Sequence, residues 1–142
     1  MRRIICIGNR YHPEDAAGPQ VCDLLRRGAL PEGIEVIDGG LAGLNLLRYV
    51  ERAERVVFVD RVCGFGRPGE VLSLNPEEAA AAAAPRYDHA GGLAYLLRVV
   101  PVACEGPAPG IVIVGIEGPA DGGAIAEAAA LALKLAVDGG AE

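Results

Sequence analysis

Short, continuously apolar runs, most of them flanked by glycine or charged residues, alternate along this chain with longer stretches whose apolar residues recur at helical spacing. That alternation is the pattern of βαβ units, and it restricts the fold to a mostly parallel sheet covered by helices. The most constraining run is Val-Val-Phe-Val at 56–59, unbroken and mostly β-branched, as a central strand buried on both faces requires. It is followed at once by Asp60. Residues 3–7, 34–37 and 111–114 read as further strands, and 70–74 alternates like a half-exposed edge strand, expected to run antiparallel.

Between these runs the helical pattern appears at 15–27, where Gly28 and Pro31 stop it, and again in Leu44, Leu47 and Val50, with Asp38-Gly39-Gly40 expected as the turn before them. Residues 79–84 form an alanine-rich surface helix behind Glu77 and Glu78, and two more helices are expected over 93–100 and 125–137. The expected architecture is α/β: a single three-layer domain over residues 1–142. Its twisted, mostly parallel five-stranded sheet has helices on both faces and one antiparallel edge strand.

Composition narrows the partners. With 51% hydrophobic and 23% charged residues the chain can bury a real core, and 19 acidic against 13 basic side chains leave a formal charge of −6. The long-range field therefore repels nucleic acid and anionic membrane surfaces and favours cations and basic peptides. The apolar run after Arg2-Arg3 falls short of the roughly 7–15 residues of a signal peptide, and no stretch approaches the ~18 of a membrane span. Cys6, Cys22, Cys63 and Cys104 show no Cys-x-x-Cys spacing, so reduced thiols and a cytoplasmic location are expected.

The topology brings three distant residues to one place. Asp15, Asp60 and His89 each fall at or shortly beyond the carboxyl end of an expected strand, where open α/β sheets bind their ligands. Two carboxylates and an imidazole suit a divalent metal. Each also has a structural explanation: Glu14 and Asp15 as acids at a helix start, Asp60 as a turn-capping residue, His89 as a helix cap. Asp60 is the hardest to explain that way, because a carboxylate directly after four buried apolar residues must be paired, hydrogen-bonded or metal-bound. His12 and Cys63 lie nearby in sequence and read as ordinary loop residues.

Other chemistries lack their motifs. The loop at 8–18 has no Gly-x-Gly-x-x-Gly or Gly-Lys-Ser/Thr, and two acids stand where a phosphate would need bare amides. Neither a Gly-x-Ser-x-Gly elbow nor a His-Glu-x-x-His helix is present, and the one serine, Ser73, sits in the edge strand. Bond cleavage would have to use carboxylates, a metal, or both.

The series Gly8-Asn9, Glu14-Asp15, Gly18, Asp38-Gly39-Gly40 with Ala42-Gly43, Asp60 and His89 resembles the hydrogenase maturation endopeptidases over nearly the whole chain. These proteases remove a carboxyl-terminal extension from the large-subunit precursor of nickel–iron hydrogenases once nickel is inserted. The resemblance implies a twisted five-stranded sheet between helices, with Asp15, Asp60 and His89 as metal-contacting residues and Asp15 and Asp60 as the catalytic carboxylates. It also implies a substrate cleft that includes Asn9, Asp38, Gly39 and Gly40. The resemblance further implies that the metal is nickel carried by the substrate, with other divalent ions able to substitute, and the protein is expected to act as a monomer. Two departures fall in the first loop: Arg10-Tyr11-His12-Pro13 replaces more apolar residues, and Glu14 stands where aspartate is usual.

Two other readings stay open on the residues alone. A metal-sensing assembly factor or chaperone for a hydrogenase subunit would keep the cleft without cleavage. A flavodoxin-like nucleotide module would need the phosphate loop that is missing.

Overall fold

The computed structural model describes residues 1–41, 44–83, 97, 100 and 110–138. Its centre is a mixed sheet in the order β2-β1-β3-β5-β4, formed by β1 (Arg2–Ile7), β2 (Ile34–Gly40), β3 (Arg55–Val62), β4 (Val71–Leu74) and β5 (Gly110–Glu117). β1 pairs in parallel with β2 and β3, and β3 with β5, while β4 closes the edge antiparallel to β5. Both the parallel centre and the antiparallel edge strand are as the sequence pattern predicts.

The two faces of the sheet are filled by alternate residues of the same strands, as the pleat requires. One face carries Ile4, Cys6, Val57, Val59, Val114 and Ile116 and is covered by α1 (Ala17–Arg27) and the long helix Gly122–Asp138. Alanines Ala128, Ala132 and Ala136 let that long helix lie close against the strands. The other face carries Ile5, Ile7, Val56, Phe58 and Ile113, against which Leu46 and Val50 pack from the β2–β3 connection, together with Ala79, Leu97 and Val100. Helix α2 (Leu47–Val50) belongs to that connection, and Ala79 to α3 (Pro76–Ala83), whose start is closed by reciprocal bonds between Asn75 and Glu78. The long helix Gly122–Asp138 is α4 below.

Since α1 lies on one face and α2 on the other, the chain turns in opposite directions after β1 and after β2. The crevice of this topology therefore opens between the carboxyl ends of β1 and β3. Among the described residues no helix is long and apolar enough to cross a membrane.

Several elements differ from the sequence expectation, mostly because polar residues continue strands that were expected to end with their apolar runs. Asp38-Gly39-Gly40 is the end of β2, not a turn: its ladder with β1 continues through Cys6 and Asp38, shifts once, and resumes with Ile7 and Gly40. Asp60 does not end β3, which runs on through Arg61 and Val62 opposite Ile116 and Glu117. β5 likewise extends three residues past Val114. The helix expected around Leu44, Leu47 and Val50 is only a 3-10 turn (Leu44–Leu46) followed by α2, because Glu51 is already extended and Arg52 takes a left-handed φ of 66°. The first helix starts at Ala17 instead of Asp15, after a separate 3-10 turn, Pro13–Asp15. Of the helix expected over 93–100 the described residues are Leu97 and Val100, both buried; His89 and Cys104 lie outside the described residues.

Candidate active site

The first loop is folded back tightly over the end of β1. Gly8 adopts φ 149°, and a Cβ there would stand 2.3 Å from the Asp15 carbonyl oxygen and 2.9 Å from Pro19 Cδ. Gly18 approaches the same strand from α1, where a Cβ would lie 2.0 Å from the Ile7 carbonyl oxygen. Only residues without a side chain allow this double contact. It seats the 3-10 turn bearing Asp15 on the rim of the crevice.

Asp15 is 5% exposed and Asp60 4%. Asp15 does not cap α1, whose N-cap residue is Ala16 and makes no side-chain capping bond. Its Oδ2 instead accepts the backbone N–H of Asn9 at 3.2 Å. Asp15 is therefore not the N-cap of α1.

Asp60 follows the pleat of Val56 and Phe58 and so belongs to the face packed by Leu97 and Val100. Its Oδ1 accepts the backbone N–H of Arg61 at 2.7 Å. Burial pushes the Asp60 carboxyl well above the usual carboxylate range, the negative charge of Asp15 pushes it further, and the amide and guanidinium of Arg61 only partly oppose this. Two carboxylates from separate elements thus share one water-poor corner of the fold.

Such a pair is a donor set for a hard or borderline divalent cation, since a cation would offset both the burial and the mutual repulsion. Among the described residues no three histidine, cysteine or acidic side chains form a metal-binding group, and His89, the expected third ligand, lies outside them.

Of the expected cleft residues, Asn9 bonds Asp15 directly, while Asp38, Gly39 and Gly40 lie at the end of β2. Asn9 accepts the Tyr11 amide through Oδ1 at 3.0 Å, forming an Asx turn that leaves Tyr11 89% exposed at the loop tip. Asp38 Oδ1 accepts the Gly40 amide at 3.3 Å, while Gly8 donates to the Gly40 carbonyl at 2.7 Å, which joins the ends of β1 and β2. Gly39 lies against Ile5 and Leu46.

Two functional-looking groups escaped the sequence pattern. Arg10 grips Asp23 of α1 in bidentate fashion at 3.0 and 3.3 Å and reaches Asp38 of β2 at 2.8 Å, so the unusual first loop is tied down at both sides. The second is Glu117, 7% exposed at the end of β5. Its carboxylate accepts the backbone amides of Gly64, Phe65 and Gly66 at 2.9, 2.9 and 3.1 Å. A weaker signal was present: Glu117 closes the apolar stretch Ile111–Ile116, which Gly115 interrupts.

Comparison with known proteins decides the family. A family model described as HycI hydrogenase maturation protease matches residues 19–139, most of the chain. The chain belongs to the hydrogenase maturation protease family. The matched span includes Asp60 and begins after Asp15. The Hydrogenase 2 maturation protease of Escherichia coli K12 is 28% identical over 116 residues, covering 80% of this chain and 70% of that protein. The hydrogenase expression/formation protein HupD of Bradyrhizobium diazoefficiens is 30% identical over 76 residues, which is 53% of this chain and only 40% of HupD. In structure the chain resembles the hydrogenase maturating endopeptidase HybD of E. coli with a TM-score of 0.75 at 24% identity, covering 94% of this chain and 87% of that one. The likeness extends the family's fold to this chain, mixed sheet and helices included.

Proposed function

We propose that this protein is the endopeptidase that removes the carboxyl-terminal extension of a nickel–iron hydrogenase large-subunit precursor, and that it recognises the nickel already held by that precursor. The observation that carries this reading is the juxtaposition of the buried Asp15 and Asp60 carboxylates at the crevice of a chain of this family. Asp15, Asp60 and His89 are the residues assigned to the nickel.

The pair is well suited to sensing a cation. Burial and Asp15 favour a proton on Asp60, and an approaching divalent ion would favour its loss, so metal recognition and proton release are coupled. When present, the precursor's nickel supplies Lewis acidity toward the scissile carbonyl or a water. The chain's own contribution is a dry, rigid corner with one carboxylate able to take a proton from water and return it to the leaving amine. Asn9, Asp38, Gly39 and Gly40 form the rim along which the extended carboxyl-terminal segment of the precursor lies.

The test is processing of a nickel-loaded precursor by wild type and by D15N, D60N and H89A, followed by the mass of the large subunit. Shortened product from wild type and little from the variants is the expected result. Undiminished cleavage by all three variants would end this assignment. A stable complex with wild type but no shortened product would mark the protein as a non-catalytic, metal-sensing assembly factor.

A further inference from the structure

Glu117 is a third buried carboxylate at the same end of the sheet. By the pleat of β5 it shares a face with Ile111 and Ile113, the face to which Asp60 also belongs, and it stands opposite Val62, two residues beyond Asp60 on β3. Its two oxygens hold three successive amides of the loop that leaves β3, at Gly64, Phe65 and Gly66. Its backbone fastens the far side of the same loop: its N–H donates to the Glu70 carbonyl, and its carbonyl accepts the Gly69 amide at 2.7 Å. The next residue, Gly118, donates to the Val62 carbonyl. One residue therefore closes the whole connection from β3 to β4 onto the end of β5.

Three converging amides form a concave anion site, and bonds to a charged acceptor are about twice as strong as neutral ones. Here the occupant is a side chain of the protein itself. The loop it holds leaves β3 just after Arg61 and Val62, which are still paired with β5; the Arg61 amide holds Asp60 Oδ1 at 2.7 Å, and its guanidinium bears on the Asp60 charge.

We propose that Glu117 is a positioning residue: by anchoring the Gly64–Gly66 loop at the end of β5 it steadies the last residues of β3, among them Arg61, whose amide orients the Asp60 carboxylate. Its effect on processing rests on the proposed peptidase function, whereas its effect on Asp60's surroundings does not.

E117Q keeps the size of the side chain but replaces one amide acceptor with a donor, so at least one of the three loop amides loses its partner. E70Q is the control, because among the described residues the Glu70 side chain accepts the Arg67 amide, on the exposed side of the same connection, and the substitution leaves its backbone bond to Glu117 in place. Hydrogen exchange on the full chain should show loss of protection at the Gly64–Gly66 amides and also at Arg61 in E117Q, with Arg61 unchanged in E70Q. In processing assays E117Q should lower kcat roughly 10–100-fold with little change in KM, the size of effect expected from an ångström-scale misplacement of a reacting group. Arg61 protection equal to wild type in folded E117Q would overturn the proposal, as would an unchanged kcat where wild type is active. Wild type that processes nothing would refute the peptidase reading alone, and the exchange experiment would still decide the role of Glu117.

Discussion

The charge of Asp15, on a 3-10 turn after β1, raises the proton affinity of Asp60, on β3. Neither residue is placed by its sequence neighbours alone. This electrostatic relation exists because Gly8 and Gly18 let the first loop collapse onto the end of β1, and because β1 and β3 are adjacent strands.

A pH dependence follows from that relation. In the unfolded chain Asp60 titrates near the ordinary value of about 3.9; in the folded protein it titrates well above this. Between the two values the folded state holds more protons than the unfolded state, so this group makes stability fall as pH rises through the window. D60N retains an oxygen to accept the Arg61 amide but removes the charge. Thermal unfolding across pH 4 to 8 should therefore show D60N gaining on wild type as pH increases. Parallel curves for the two proteins would show that Asp60 is not destabilised by burial and Asp15. The same variant should lose roughly 10²–10⁴-fold in processing rate, the usual loss when a general acid–base group is removed.

The Arg10 clamp gives a second expectation. The guanidinium is exposed, and its two carboxylate partners push its proton affinity up further, so the clamp remains ionised at any working pH and is screened by salt. R10A should leave thermal stability nearly unchanged while raising KM for the precursor, since the loop beside Asp38 is then less ordered before binding. D23N lies on α1 and acts through Arg10. It should reproduce the direction of R10A. Raised salt should do the same to wild type, and a KM in R10A equal to that of wild type would exclude a role for the clamp in substrate binding.

Gly18 offers a test of how the site is seated. A methyl group there would meet the Ile7 carbonyl oxygen at 2.0 Å, which forces α1 away from β1. G18A should destabilise the protein by about 1–3 kcal/mol or more, as overpacking against backbone does, and should reduce processing even in the fraction that remains folded. Denaturant unfolding measures the first effect and the specific rate of the folded fraction the second. A wild-type midpoint and rate would contradict the close approach of α1 to β1.

Much of the fold was legible in the sequence because runs such as residues 56–59 have one physical solution, a strand buried on both faces. The ends of strands were not. Arg61-Val62 and Gly115-Ile116-Glu117 continue their ladders because backbone pairing between β3 and β5 persists where the apolar pattern no longer announces it. Asp38-Gly39-Gly40 has the composition of a turn, yet pairing with β1 holds it as strand. For the site, Asp15 and Asp60 could be found from their place after strands, whereas the capping role that competed for Asp15 disappears only when the helix is seen to begin two residues later. The Arg10 clamp joins residues 13 and 28 positions apart and carries no local signature.

In the proposed function, Asp15, Asp60 and His89 read nickel in a precursor and direct its cleavage. The most direct test of this reading is the mass of a large-subunit precursor incubated with this protein, with and without nickel, for wild type and for D15N, D60N and H89A. The account predicts loss of a carboxyl-terminal fragment only with nickel present and only with wild type. Equal cleavage of the nickel-free precursor, or equal cleavage by the three variants, would contradict it.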